Sequence, residues 1–303
     1  MRCVFSATGA VADLHFEMPW HNGEMHDQES PVDFTSRKAA TRAGLWLAGG
    51  IAALAGAAYF TINFAPQHFA KFLPDTWTQK MGDQLEVELV QGARTCTTGA
   101  GDAALSTLVA RVMQGAPDLP PLRIRVYDIP VMNAWTLPGG HIVVTRGLIT
   151  KAGDANEVAG VLAHEMGHAT HHDPEAQLVR ITGVQILLGV VSGISGSNSG
   201  GSASSLAAIM QSSQDAERAA DAYAAATLTA AGINPLGLKT FFEKMLAEDG
   251  TAPNGALGKL NNLFSTHPGT ESRIKLITPW PVGKVQKPIL TDAQWQDLRR
   301  VCR

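Results

Sequence analysis

The sequence contains little cysteine: Cys3, Cys96 and Cys302 are the only three in 303 residues. Three cysteines are too few for a disulfide scaffold, and none of their spacings is the C-x-x-C of a structural metal site. Charge is also nearly balanced, with a formal net charge of −3 at pH 7 and no basic stripe along the chain. A nucleic-acid partner is therefore not expected.

One long segment lacks charged residues altogether. From Ala43 to Gln67 the chain has no Asp, Glu, Lys or Arg, and Leu45–Phe64 matches the roughly 20 apolar residues that a helix needs to cross a bilayer. Three basic residues directly precede the segment: Arg37, Lys38 and Arg42. Because positive charge favours the cytoplasmic side, we expect a single-pass protein of the inner membrane. Its parts would be a disordered cytosolic tail (1–42), a transmembrane anchor (43–66) and a periplasmic domain (67–303).

Two other interpretations of this segment stay open. A run rich in Gly and Ala also fits a buried core helix, and the small residues Ala55, Ala57 and Ala58 fit the cleavage site of a signal peptide. The long polar stretch before the segment favours an uncleaved anchor. If the domain after it is exported, Cys96 and Cys302 lie in an oxidising compartment and can form a disulfide that joins the two ends of the domain. The alternative is a pair of buried free thiols.

The exported part alternates between helical and strand patterns. Leu122–Ile129 alternates apolar and polar residues like a half-buried strand. Within Asn133–Ile149, the sequence Pro138-Gly139-Gly140 forces a turn between two short β-prone runs, which predicts a hairpin. Asp154 or Asn156 can cap a helix that continues to His172. A final short helix is predicted after the capping box that begins at Thr291.

The predicted helix carries the sequence HEMGH. His164 and His168 are four residues apart, so their imidazoles share one face of the helix and can hold one metal ion. Glu165 lies beside the ion, where a carboxylate can accept a proton from the attacking water. Three uncompensated polar groups facing a core would cost several kcal/mol in desolvation. The pattern therefore predicts a catalytic zinc site, which needs a third protein ligand.

The next acidic residues along the chain are in SSQDAERAADAYAAA. Glu217 and Asp221 are again four residues apart on a strongly helical, Ala-rich segment. One carboxylate can ligate zinc while the other accepts the ring N–H of a ligand histidine. An ordinary solvated helix face is the competing interpretation of these residues.

Four motifs in this order resemble one family. HEMGH, the later ERAAD, the preceding NAWTLPGG and the following STHPGTESRI together resemble the HtpX and CAAX-prenyl-protease family of zinc metalloendopeptidases. The likeness is strongest to its exported branch of quality-control peptidases and covers about half of the chain, from Leu122 to Ile274.

The resemblance assigns roles residue by residue. It implies that His164, His168 and Glu217 ligate zinc, that Glu165 is the general base and that Asp221 orients a ligand. It also implies that His267 approaches the metal, either closing the site at rest or stabilising the oxyanion; a plain loop histidine is the alternative. Arg273 is expected to pair with a carboxylate near the site.

The hairpin is expected to serve the substrate. Peptidases of this kind bind an extended peptide at a sheet edge above the metal, and Leu137, Pro138, Gly139 and Gly140 would bring backbone close to the cleft. A plain structural turn explains these residues nearly as well. The apolar stretch Leu178–Ile194 crosses the membrane in some family members; here it is short and contains Arg180, so we expect a core or bilayer-touching helix followed by a loop.

These features together predict an α+β fold. The expected domain is a mainly helical gluzincin metallopeptidase with a small β-sheet or hairpin over the active-site helix, preceded by one transmembrane helix. We expect a zinc endopeptidase, with one Zn²⁺ per chain, that cuts unfolded or misassembled envelope proteins. The first alternative is a zinc-containing, chaperone-like binding protein with its site closed by His267. The second is a prenyl-peptide protease, which the absence of a multi-span chamber argues against.

Overall fold

The computed structural model describes residues 34–64, 66–116, 118–192, 211–248, 267–268, 270–275, 277 and 288–303. The chain divides after Ala53 into two compact units, Met1–Ala53 and Leu54–Arg303. Residues 1–33, which make up most of the predicted cytosolic tail, lie outside the described residues, as does the predicted loop after Ile194.

The first described element is a long apolar helix, α1 (Phe34–Phe64). Within it, Thr41–Thr61 is long and apolar enough to cross a membrane, with a mean hydropathy of 1.5 and none of the segment buried. The helix begins earlier than the predicted anchor, because the preceding Arg, Lys and Ala residues are themselves good helix formers. The anchor itself stays a prediction.

The remaining elements follow one another closely along the chain. Their bounds are α2 (Pro66–Ala70), α3 (Asp75–Val90), α4 (Gly99–Met113), β1 (Arg123–Tyr127), β2 (Ala134–Leu137), β3 (His141–Thr145), α5 (Arg146–Lys151), α6 (Ala155–Thr170), α7 (Asp173–Ser192), α8 (Gln214–Ala230), α9 (Leu236–Glu248), α10 (Thr270–Ile274) and α11 (Asp292–Arg299). The predicted α+β class, mainly helical with a small sheet, is confirmed.

Three strands form the sheet in the described part of the chain, in the order β1-β3-β2. The predicted hairpin is the antiparallel pair β2–β3, closed by a short helical turn over Pro138–Gly140. Strand β1 adds to β3 in parallel. Because side chains alternate across a strand, Ile142 and Val144 enter the main core with α6, whereas Val143 packs on the other face with Leu85 and Leu89 of α3. The sheet therefore lies between α3 and α6.

Helix α6 lies at the centre of the domain. Asp154 caps its N-terminus by accepting hydrogen bonds from the backbone N–H groups of Asn156 and Glu157, which satisfies two of the donors that a helix start leaves unpaired. Every residue from Glu157 to Ala169 is buried. Helices α8 and α9 pack against α6, so polar side chains on α6 face protein rather than water.

A disulfide joins Cys96, just before α4, to Cys302, just after α11. The two cysteines are separated by 206 positions in the sequence, so the bond links the C-terminal helix to the segment just before α4. The predicted bridge is confirmed, and α11 begins with the predicted capping box at Thr291 and Gln294.

Breaking this disulfide should destabilise the domain. Closing so long a loop restricts the unfolded chain, and we expect the Cys96→Ser, Cys302→Ser double variant to lose about 2–5 kcal/mol of the free energy of unfolding. Thermal unfolding of the variant should match that of the reduced wild type, and Cys3→Ser should behave like the oxidised wild type. An unchanged melting temperature after reduction would contradict this prediction.

A buried carboxylate joins α3 to the sheet. Glu86 accepts hydrogen bonds from the Tyr127 hydroxyl (2.7 Å) and the Arg125 guanidinium (3.1 Å) through one oxygen, and its other oxygen lies 2.7 Å from Nδ1 of His141. Burial alone would raise the pKa of Glu86, but His141, Tyr127 and Arg125 outweigh it and lower the pKa to about 2. The ionised form is therefore stabilised by folding.

This depressed pKa makes a prediction about acid stability. The contribution of Glu86 is fully present above its unfolded pKa, about 4.5, and is lost as the pH falls towards 2. We expect Glu86→Gln to reduce the free energy of unfolding at pH 7 by up to about 3 kcal/mol, and this deficit to shrink between pH 4.5 and 3. Denaturant titrations at several pH values measure it, with Glu88→Gln on the same helix as the control. A deficit that does not depend on pH would show that the charge is irrelevant.

Candidate metal centre

Two helices bring the candidate ligands together because their backbones come unusually close. A Cβ atom on Gly167 would lie only 2.9 Å from Cα of Ala220 and 3.1 Å from its carbonyl oxygen. Glycine in the HEMGH sequence and alanine on α8 therefore permit the contact. The approach sets Glu217 and Asp221 of α8 beside His164 and His168 of α6, and all four side chains are largely excluded from solvent.

The donor atoms of these residues form a compact cluster. Nε2 of His164 lies 3.1 Å from Nε2 of His168. The Glu217 carboxylate spans both rings, with Oε2 3.4 Å from Nε2 of His164 and Oε1 3.4 Å from Nε2 of His168. A fourth residue, His267, places Nδ1 3.3 Å from Nε2 of His164 and 3.0 Å from each oxygen of Glu217.

These spacings fit a tetrahedral zinc ion. Ligand atoms at 2.0–2.1 Å from zinc lie roughly 3.3 Å from one another, and the observed separations among the four residues are 3.0–3.4 Å. Two imidazoles and a carboxylate are also the ligand types that zinc accepts. The residues present therefore fit a single metal ion.

The electrostatics of the cluster favour positive charge. Burial alone would raise the pKa of the Glu217 carboxyl, but the facing imidazoles of His267, His168 and His164 hold it well below its usual range. Burial likewise opposes protonation of His164 and His168, yet the neighbouring carboxylates raise the pKa of both rings. A cavity that stabilises protons on its histidines will also stabilise a cation in their place.

Each of the two α6 histidines has a carboxylate at its other ring nitrogen. Nδ1 of His164 lies 3.0 Å from Oδ1 of Asp221, and Nδ1 of His168 lies 2.8 Å from Oδ2 of Asp173. A proton held on Nδ1 leaves the Nε2 lone pair directed at the cluster, which is the tautomer a metal ligand requires.

Asp173 reaches His168 because the chain reverses sharply after α6. His172 adopts a left-handed backbone conformation (φ 55°), and α7 begins immediately afterwards at Asp173. The sequence analysis ended the preceding helix at His172 and gave Asp173 no role, because a reversal through a non-glycine residue leaves no periodic signal.

Arg273 secures the acidic side of the cluster. Its guanidinium donates from Nε to Oδ2 of Asp221 (2.6 Å) and from Nη2 to Oδ1 (2.7 Å), and Nη1 lies 2.5 Å from Oε2 of Glu217. It also lies 4.8 Å above the ring of Phe242. Burial alone would raise the pKa of Asp221, but Arg273 and His164 lower it to about 2. The expected pairing of Arg273 with a carboxylate is found.

Glu165 has a partner that the sequence analysis missed. The Thr136 hydroxyl lies 2.7 Å from Oε2 of Glu165 and 2.8 Å from its backbone oxygen. Thr136 and Ala134 point to the same face of β2 because side chains alternate along a strand, and that face meets α6. The sequence predicted a short strand here, but nothing in it showed which helix residue the strand would touch.

The predicted substrate turn packs against helices. Leu137, Pro138 and Gly140 are buried, and the Gly139 N–H donates to Oε1 of Glu175 on α7 (2.8 Å). A Cβ atom on Gly139, which has φ 72°, would lie 2.7 Å from Cα of Gln79 on α3. The turn is therefore built by contacts with α3 and α7, and its role towards substrate stays a prediction.

The domain is similar to known metallopeptidases. A model of peptidase family M48 matches residues 101–280, which contain every residue of the cluster. Metalloprotease LoiP of Escherichia coli (strain K12) is 29% identical over 211 residues, covering 68% of this chain and 81% of that protein. Mitochondrial metalloendopeptidase OMA1 of Schizosaccharomyces pombe is 28% identical over 262 residues, covering 80% and 74%. The β-barrel assembly-enhancing protease of Yersinia pestis is 24% identical over 183 residues, covering 56% and 37%.

The contact of Asp173 with His168 predicts a change in metal affinity. Asp173→Asn keeps the size of the side chain but removes the charge that orients the ring, so we expect metal affinity to fall about 10- to 100-fold. Competition with a chelator measures it. Asp215→Asn, an exposed acid in the first turn of α8, is the matched control, and equal affinities for the two variants would argue against the orienting role.

Proposed function

Because the chain belongs to peptidase family M48, we propose that it is a membrane-anchored zinc endopeptidase that hydrolyses peptide bonds of unfolded or misassembled envelope proteins. One observation carries the proposal: the donor atoms of His164, His168 and Glu217 are spaced as zinc requires, and Glu165 follows the first ligand directly on the same helix.

The residues take distinct roles in this proposal. Imidazole Nε2 atoms of His164 and His168 and the carboxylate of Glu217 hold the ion, while Asp221 and Asp173 fix the tautomers of the rings. A bound zinc ion would supply Lewis-acid polarisation of the scissile carbonyl and make water easier to deprotonate. Glu165 takes the proton of the attacking water and passes it to the leaving amine.

Thr136 supports Glu165 in this role. Its hydroxyl lies within hydrogen-bond distance of Oε2, so one carboxylate oxygen is held in place and the other, Oε1, faces the cluster near His267. A general base must be held within reach of the proton that it abstracts. The strand therefore contributes to catalysis by fixing the base.

The sheet supplies a surface for an extended substrate. Strand β2 lies at one end of the strand order, and among the described residues its one strand neighbour is β3. A peptide that adds to the other edge of β2 would satisfy its backbone groups and pass over α6 close to Glu165. Leu137, Pro138, Gly139 and Gly140 would shape the end of this edge.

Three features support the proposed location and substrate class. Thr41–Thr61 has the length and composition of a membrane span, which supports a single-pass anchor in the inner membrane. The disulfide between Cys96 and Cys302 supports an oxidising compartment such as the periplasm for the domain. The β-barrel assembly-enhancing protease among the relatives supports envelope proteins as substrates.

A second candidate function rests on the position of His267. Its Nδ1 atom is as close to the other ligands as they are to one another, so it fills a fourth position, and four filled positions describe a closed zinc site. A protein held permanently in this state would bind unfolded clients without cutting them. For a peptidase, His267 must withdraw to admit water and substrate and could then stabilise the oxyanion from its new position.

Substitution of the base separates the two functions. We expect Glu165→Gln to bind one zinc ion per chain, as the wild type does, but to lose at least about 100-fold of the proteolytic rate, because general base catalysis is worth 10²–10⁴-fold. Metal analysis and cleavage of an unfolded protein such as casein measure the two properties. Glu243→Gln, an exposed acid on α9, serves as control.

Three outcomes are distinguishable in this experiment. Zinc with proteolysis that depends on Glu165 supports the endopeptidase. Zinc without proteolysis in the wild type, together with binding of unfolded protein, supports the closed binding protein. Absence of stoichiometric zinc, or full proteolytic activity in Glu165→Gln, would contradict both candidate functions.

A further inference from the structure

A cleft adjoins the metal centre on the side of His168. It lies between α7 and the start of α8, and its lining includes Gln67, His168, Asp173, Arg180, Ser213 and Ala216. Because one of these residues is a candidate metal ligand, whatever occupies the cleft lies next to the site of peptide hydrolysis. The residues described above as ligands, base and supports leave Arg180 without a role.

Arg180 is the one Lys or Arg among the residues that line this cleft, and one of its N–H donors is unpaired. Its Nε atom is buried and has no hydrogen-bond partner among the described residues. Asp173 lines the same cleft, but its Oδ2 atom is held by His168 (2.8 Å), and Oδ1 lies 3.4 Å from Nε2 of Gln67. A buried donor on a charged group is costly to leave unsatisfied, so a ligand that supplies an acceptor to the Nε–H would be favoured.

The geometry of a guanidinium specifies the chemistry of that ligand. Its planar fork of N–H donors matches the two oxygens of a carboxylate better than any other group that a polypeptide offers. The N-terminal end of α8 at Ser213 also borders the cleft and adds a weaker preference for negative charge. Asp215, in the first turn of α8, is exposed and pairs with Arg218, so it does not neutralise Arg180.

We propose that this cleft is a subsite of the peptidase in which Arg180 binds a carboxylate of the peptide substrate. The inference rests on the proposed endopeptidase function and adds a substrate preference to it. The apolar stretch that contains α7 carries this one basic residue between Leu178 and Ser192, and the subsite gives that residue a function.

Matched peptides test the proposal and identify the source of the carboxylate. One set carries Glu or Gln at each position within three residues of the scissile bond, and a second set carries a free or an amidated C-terminus. We expect the wild type to cleave the best Glu peptide about tenfold faster, as kcat/KM, than its Gln partner, because a hydrogen bond to a charged group is worth about 1.5–3 kcal/mol. A preference for the free C-terminus instead would identify the chain end as the source.

Substitution of Arg180 completes the test. In Arg180→Gln the ratio between acidic and neutral peptides should fall to about one while cleavage of the neutral peptide is kept, and Arg180→Glu should prefer a Lys peptide. The inactive Glu165→Gln background gives an independent readout, since its affinity for the acidic peptide should fall by a similar factor when Arg180 is replaced. Arg300→Gln removes an exposed arginine just after α11 and controls for the change in net charge.

Different results would contradict this inference and the proposed function. If the wild type cleaves both peptides of every pair equally, or if the preference survives in Arg180→Gln, the carboxylate subsite is wrong although the peptidase stands. If the wild type cleaves no peptide and binds no zinc, the proposed function itself is wrong.

Discussion

The backbone contact between α6 and α8 is the constraint on which the metal centre depends. At Gly167 and Ala220 the two helices approach so closely that a single added Cβ atom would collide with backbone. At this separation the carboxylate of Glu217 lies 3.4 Å from the Nε2 atoms of both His164 and His168. A side chain at position 167 would collide with the backbone of α8, so the glycine within the HEMGH sequence contributes to the geometry of the site.

Charge within this contact has to be balanced by a cation. Glu165, Asp173, Glu217 and Asp221 bring four carboxylates into a small volume, and among the described residues Arg273 is the one guanidinium that touches two of them. Buried carboxylates of this density are stable only when each is paired or hydrogen-bonded. Arg273 pairs with Asp221 and Glu217, Thr136 with Glu165 and His168 with Asp173. The remaining negative charge faces the cluster of Nε2 atoms, where a divalent ion would neutralise it.

The sequence predicted the parts of the site that follow a helical period. His164, Glu165 and His168 share one turn, and Glu217 and Asp221 repeat that spacing, so each group could be recognised within its own helix. Neither helical period shows how the two helices pack against each other. That their residues meet at one site was predicted from the family resemblance rather than from spacing. Asp173 and Thr136 escaped prediction for the same reason, since one depends on the left-handed backbone at His172 and the other on a strand facing a helix. The disulfide was predictable because the expectation of an exported domain left Cys96 and Cys302 few alternatives.

The segment that carries His267 is tied to the metal centre through Arg273, six residues later. Because Arg273 binds both carboxylates of α8, the candidate ligand Glu217 and its neighbour Asp221 also hold the segment that carries His267. Withdrawal of the His267 side chain alone would leave the Arg273 pairs intact. Withdrawal of the whole segment would expose Glu217 and Asp221 without their counter-ion, at a cost of several kcal/mol. For the proposed peptidase, this arrangement therefore favours opening by local movement at His267, with Arg273 as the fixed point.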